Sequence, residues 1–313
     1  MGQVLWEPGE EQIRQTALWR FMQSLPKPFD DYHDLWEWSI SERGPFWQAV
    51  WDFTGVIAAV PAERPLGREG MPGTEWFPGA RLNFAENLLR RADDGPAIIA
   101  AAEGRDTRVI SWRELNHRVD GVRRGLLAAG VGEGDRVAAL LPNCPEALIG
   151  MLAAASIGAV WSSCSPDFGA AGVVDRFGQI EPAVLIAADG YRYNGRAIPL
   201  EETLAAVLDG IPPPRAIVIV DYLGRPPRLR EEWIGWEEFQ QDGADRPEFV
   251  PLPFDHPLYI MYSSGTTGPP KSIVHRAGGV LLKHLCEQKL LSDVRPGDRV
   301  FWFTTCGWMM WNW

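Results

Sequence analysis

Cysteine is scarce and unpatterned in this chain of 313 residues: the four present, Cys144, Cys164, Cys286 and Cys306, include no C-x-x-C pair. The five histidines form no H-E-x-x-H. A metal centre or a disulfide framework is therefore not expected, and a reducing, cytoplasmic setting is the default. Membrane signatures are missing too. The longest apolar stretch, 147–161, falls about five residues short of a bilayer span and reads as a buried helix followed by a strand. The N-terminus carries Glu7 and Glu10 and no apolar h-region, so it is not a secretory signal. Trp6 stands where a myristoylation site needs Ser or Thr. Positive charge is in deficit: 30 Lys+Arg against 41 Asp+Glu leave a net charge of −11. Nucleic acid and anionic membranes are thus not expected as partners, although a local basic pocket for a phosphorylated ligand is compatible with that balance.

Apolar residues make up 46% and charged residues 23%, the proportions of a soluble globular chain, and the length suits two domains or one large one. Fifteen tryptophans are several times normal usage. Many lie in the first ninety residues, where Leu35, Trp36, Trp38, Phe46, Trp47, Val50, Trp51 and Phe53 recur at helical spacing, broken near Gly44-Pro45. They read as packing anchors. A Gly/Pro-rich stretch, 61–79, then reads as an irregular wrap. From Pro96 short apolar runs alternate with helical patterns. Strands are expected at 97–102, 107–110, 136–141, 159–163, 183–187 and 216–220. Helices are expected at 145–157, 173–180 and 200–208, and Ser111 with Glu114 forms a capping box for another that Gly130 stops. Such alternation means βαβ units: an α/β fold with parallel-rich sheets flanked by helices. The stretch 226–253 reads as a charged, Pro-rich connection with one short helix. A strand at 258–262, a helix at 278–291 and a strand at 300–304 follow. The division expected is a helical, Trp-rich cap over 1–95 and a second domain over 96–313.

The most informative segment begins at Tyr259. A strand runs into a loop of hydroxyl residues and glycines, Ser263 to Gly268, and then Lys271. Glycines permit close backbone approach, successive N–H groups form an anion-binding nest, and hydroxyls and a lysine add donors and charge. This is the equipment a polyphosphate needs. The Walker A pattern G-x-x-x-x-G-K-[ST] fits Gly265 to Ser272 except at Pro270, which has no N–H and no glycine freedom.

A second pattern, Y-[ST]-S-G-[ST]-T-G-x-P-K, is complete from Tyr262 to Lys271. The chain here resembles the adenylate-forming enzymes, the acyl-CoA synthetase and luciferase-like superfamily. The resemblance extends to Tyr32 to Ser39 with Phe46-Trp47, to Pro72 through Leu89, and to Ser162 through Gly169. Phe301 to Asn312, with Gly307-Trp-Met-Met-Trp-Asn312, resembles the acetoacetate-using branch of the superfamily. What this implies is an adenylate-forming N-terminal domain in truncated form, because the family's later motifs and its small C-terminal domain lie downstream of position 313.

The resemblance further implies an ATP-dependent acid–thiol ligase that makes an acyl-adenylate and pyrophosphate, then an acyl-CoA. ATP, Mg²⁺ and CoA would take part, with acetoacetate as the acid. Ser263, Ser264, Gly265, Thr266, Thr267, Gly268 and Lys271 would hold the ATP phosphates, with Thr266 and Lys271 as the catalytic pair. Trp308, Met309 and Met310 would line the acyl pocket or simply pack in the core, two readings that overlap. Arg196 would contact the CoA 3′-phosphate or stand solvated at the surface, and no metal ligand is expected from the protein. The chain alone would not turn over. Open alternatives are an acetate- or propionate-using ligase, a P-loop kinase, and an inactive nucleotide-binding fragment.

Overall fold

The computed structural model describes residues 5–29, 31–224, 230–263 and 268–313. The chain divides into two compact units, one of Met1–Arg81, Pro253–Asp255 and Gly278–Phe301, the other of Leu82–Leu252, His256–Ala277 and Trp302–Trp313.

The larger unit is built on a seven-stranded sheet. Its strands are β1 (Arg136–Leu140), β2 (Val160–Cys164), β3 (Val184–Ala188), β4 (Ala216–Val220), β5 (Trp233–Gly235), β6 (Pro257–Ser263) and β7 (Lys271–Arg276), in the order β5-β4-β3-β1-β2-β6-β7. Every neighbouring pair is parallel except β6 and β7. Strands of a sheet covered on both faces read as unbroken apolar runs, and here the runs VLIAA and AIVIV become β3 and β4. Three helices matter for the site: α1 (Trp112–Ala128), α2 (Pro145–Ser156) and α3 (Gly169–Phe177). On one face α3 brings Val173 and Phe177 onto Ala138, Leu140, Leu185 and Ala187. On the other face α2 lies so close that a methyl group on Gly150 would meet the Trp161 ring at 3.0 Å. The chain passes from β1 to β2 on one side and from β3 to β4 on the other, so the sheet has a topological switch point between β1 and β3. Open α/β sheets bind ligands outside the carboxyl ends of strands at such a point.

The capping signal at Ser111 is half realised. Its Oγ accepts from the Glu114 amide at 3.1 Å, but the Glu114 carboxylate turns instead to Arg108 and Arg118, each at 2.9 Å. Two expectations from the pattern change. The apolar run 300–304 forms no strand: Val300, Phe301 and Phe303 are exposed, and among the described residues no ladder pairs them. Apolarity without a partner for the backbone does not make a strand. The stretch 190–199, for which no strand is expected, is a hairpin of Gly190–Tyr193 and Arg196–Pro199. Its turn residues Asn194 and Gly195 have φ of 49° and 79°, as a type I′ turn requires.

In the smaller unit Thr16 caps the helix Ala17–Ser24 and Asp31 caps Tyr32–Ser41. The helix Arg43–Thr54 begins directly after Glu42, with Pro45 in its first turn, where a missing N–H costs nothing. The aromatic residues of this region pack edge to face in a chain, Trp38 against Phe46, Phe46 against Trp47 and Trp47 against Trp76, while Trp51 lies nearly flat against Phe77 at 4.7 Å. No helix among the described residues is long and apolar enough to cross a membrane.

Candidate functional site

Strands β6 and β7 are the two arms of a hairpin whose connection carries the hydroxyl- and glycine-rich motif. Their ladder runs through Tyr262 opposite Ser272 to Ser263 opposite Lys271. The first and last residues of the connection are therefore held side by side at the carboxyl end of β6. Ser263 is half-buried, while Gly268 and Lys271 are exposed. Ser264, Gly265, Thr266 and Thr267 lie outside the described residues. Side chains alternate along a strand and cross-strand partners share a face. Lys271 thus stands on the same face of the sheet as Ser263 and, through the pairing of Tyr259 with Trp161, as Ser163. Among the described residues no carboxylate pairs with Lys271.

The opposite face of this hairpin is gripped by α3 and the turn after it. The Tyr262 hydroxyl donates to the Arg176 carbonyl at 3.1 Å and accepts from the Ser162 hydroxyl at 3.2 Å. Burial pushes the Tyr262 phenol upward from its ordinary pKa, so it keeps the proton it donates. The Arg176 guanidinium lies over the rings of Phe168, at 4.7 Å, and Tyr262, at 5.7 Å. Beyond the helix, Gln179 donates from Nε2 to the Pro270 carbonyl at 2.9 Å and accepts at Oε1 from the Ser272 hydroxyl at 2.9 Å. The entering strand and the leaving strand are thus both tied to one short stretch, 176–179.

The segment with Trp308, Met309 and Met310 is seated at the carboxyl ends of β1 and β2. The Ser163 hydroxyl donates to the Cys306 carbonyl at 2.7 Å, the Cys306 thiol to the Pro142 carbonyl at 3.4 Å, and the Trp311 indole to Asn143 Oδ1 at 3.0 Å. Gly307 passes so near Phe168 and Ser165 that no side chain fits. Trp308, Met309 and Met310 are exposed, at 62%, 42% and 44%, and Met309 starts the one-turn helix Met309–Asn312.

Arg196 is exposed on the second arm of the 190–199 hairpin, opposite Tyr193. Arg192 pairs with Ala197 one step along, so the two arginines project from opposite faces of the ribbon and do not converge. All four cysteines are buried. Burial pushes the thiols of Cys164 and Cys306 up to about 12, and none has the environment of a nucleophile. Among the described residues no three His, Cys, Asp or Glu side chains gather as a cation site. Of the supporting residues, Ser162 and Ser163 begin one of the stretches that resemble the superfamily, whereas Asn143, Arg176 and Gln179 carry no motif of their own. They act through contacts some 90 to 170 positions away in sequence, which local patterns do not reveal.

Residues 84–312 match the sequence profile of the family described as AMP-binding enzyme, and residues 32–88 match that of the acetyl-coenzyme A synthetase N-terminus. The acetoacetyl-coenzyme A synthetase of Rhizobium meliloti is 45% identical over 99% of this chain and 48% of its own length. A malonamoyl-CoA synthetase of Penicillium aethiopicum is 39% identical over 98% of this chain and 46% of its own length. The solved structure of the acetoacetyl-CoA synthetase from Streptomyces lividans superposes with a TM-score of 0.94 at 42% identity, covering 99% of this chain and 49% of the other. The chain spans about half the length of the relatives it matches.

Proposed function

Because the chain belongs to the AMP-binding enzyme family, we propose that it is the phosphate-holding and acyl-lining part of an ATP-dependent acid–thiol ligase that acts on acetoacetate. The observation that carries this reading is the complete motif from Tyr262 to Lys271, placed between two paired strands at the carboxyl side of the sheet. We retain the two-part organisation, a cap over 1–95 and a partial adenylation domain over 96–313; the two profile matches, 32–88 and 84–312, support it.

In the proposed first half-reaction a carboxylate oxygen attacks the α-phosphorus of ATP, the bond to the pyrophosphate oxygen breaks, and acyl-AMP forms. In the second, the CoA thiol attacks the acyl carbon and AMP leaves. Phosphorus-centred displacement depends on alignment and on neutralising charge. Ser263 to Gly268 would supply N–H and hydroxyl donors to the β- and γ-phosphates, and Lys271 a full charge. Mg²⁺ enters with the nucleotide and adds charge neutralisation. Trp308, Met309 and Met310 would bound the acyl group, since thioether side chains adapt to small irregular shapes. Arg196 would reach the CoA phosphate. The names of two relatives favour a short acid with a carbonyl at C3, a feature acetoacetate and malonamate share.

The test is ATP–pyrophosphate exchange by residues 1–313 joined to the carboxyl-terminal half of the Streptomyces lividans enzyme. Exchange is expected to require acetoacetate and to be absent with 1–313 by itself, and adding CoA is expected to release AMP. Equal exchange with acetate or propionate, or ADP as product, would overturn the reading.

A further inference from the structure

We infer that Gln179 is a positioning residue for Lys271, holding that lysine's backbone in register so that its ammonium meets a nucleotide phosphate. The inference rests on the phosphate-binding reading of Ser263 to Lys271 given above. Gln179 uses both ends of its amide on the two residues that flank Lys271. Nε2 donates to the Pro270 carbonyl and Oε1 accepts from the Ser272 hydroxyl, each at 2.9 Å. The same Nε2 donates to the Asp175 carbonyl in α3 at 2.6 Å, which anchors the side chain to the helix. An amide is the side chain that can do this, because it carries a donor and an acceptor on one rigid plane.

The geometry explains why the hold falls on the flanks and not on the lysine. Ser272 stands opposite Tyr262 on the face covered by α3, whereas Lys271 stands opposite Ser263 on the other face. Gln179 therefore holds the Pro270–Lys271 peptide by its carbonyl and the next residue by the Ser272 hydroxyl, and does not engage the Lys271 ammonium. Strand β7 needs such support, because among the described residues it has a ladder on one side only. A lysine on a four-carbon stem recognises phosphate as a point charge, so its strength there depends on where its backbone is held.

Gln179 is exposed, so its removal disturbs no core. In Gln179→Ala the amides of 271–276 are expected to exchange hydrogen faster, with the melting temperature unchanged. Affinity for MgATP and for inorganic pyrophosphate, measured by calorimetry on the chain, is expected to fall about three- to tenfold, part of the weight of one charged hydrogen bond. Ser272→Ala, which removes one of the two contacts, is expected to give a smaller loss. The deciding measurement is the cycle with Lys271→Ala, in whose background Gln179→Ala is expected to cost no further affinity, although the two side chains do not touch. Unchanged exchange at 271–276, or an affinity loss that persists in full without Lys271, overturns the inference alone. Phosphate affinity that ignores Lys271→Ala, or no binding by the unsubstituted chain, overturns the phosphate-binding reading and the inference with it.

Discussion

A methyl group on Gly307 would sit 2.6 Å from Phe168 Cζ and 2.9 Å from the Ser165 amide nitrogen, and the backbone atom cannot give way. Gly307→Ala is therefore expected to lift the segment carrying Trp308 and Met309 off the sheet. The cost should be about 1–3 kcal/mol, as for other overpacked sites, seen as a lower melting temperature and a shift in tryptophan emission. An unaltered emission spectrum would contradict that seating. The cysteines give a second residue-scale expectation. Burial raises the thiols of Cys164 and Cys306 to about 12, and those of Cys144 and Cys286 also upward. At about pH 8 their thiolate fractions are small, so a thiol reagent should label none before denaturation and four afterwards. The motif from Tyr262 to Lys271 is legible in sequence because its ten positions form one contiguous pattern of hydroxyl residues, glycines and a lysine. Gln179 and Asn143 are not legible, because an ordinary amide becomes functional only through what the fold sets beside it.

At the scale of elements, β7 contains a titratable side chain that ties the hairpin to pH. His275 packs its ring against Tyr259, with centroids 5.6 Å apart, and burial lowers its pKa from the ordinary value. The unfolded chain then binds the proton more readily than the folded one. Stability from this site is therefore full above about pH 6.5 and falls as pH drops from there through the lower value of the folded state. His275→Gln should flatten the dependence of melting temperature on pH between about 5 and 7; an unchanged slope would assign the effect elsewhere. Parallel strands are the most legible elements: β4 follows its apolar run residue for residue, since a strand buried on both faces must be apolar throughout. Edges and turns are less so. In β7 the sequence Lys-Ser-Ile-Val-His-Arg has no clear alternation, and its ladder with β6 decides its state. The hairpin at 190–199 did carry a signal, Asn194-Gly195, in a stretch with few other strand features. The run 300–304 shows the converse, strand-like composition with no partner among the described residues.

For the molecule as a whole, net charge and exposed apolar surface pull in opposite directions. Copies carrying −11 repel one another. Yet among the described residues β7 is the last strand of the sheet, and Ile273 and Val274 are 36% and 54% exposed along it. An edge strand with apolar side chains is a template for a further strand, and salt at about 0.15 M shortens the reach of the opposing repulsion to about 8 Å. Light scattering from the chain should therefore grow with added sodium chloride, and Val274→Lys should suppress the growth. Scattering that ignores both would show that another surface governs association. The strand that presents Lys271 would then also set the shelf life of the protein in the tube, and a buffer of low ionic strength would be the practical condition for concentrating it.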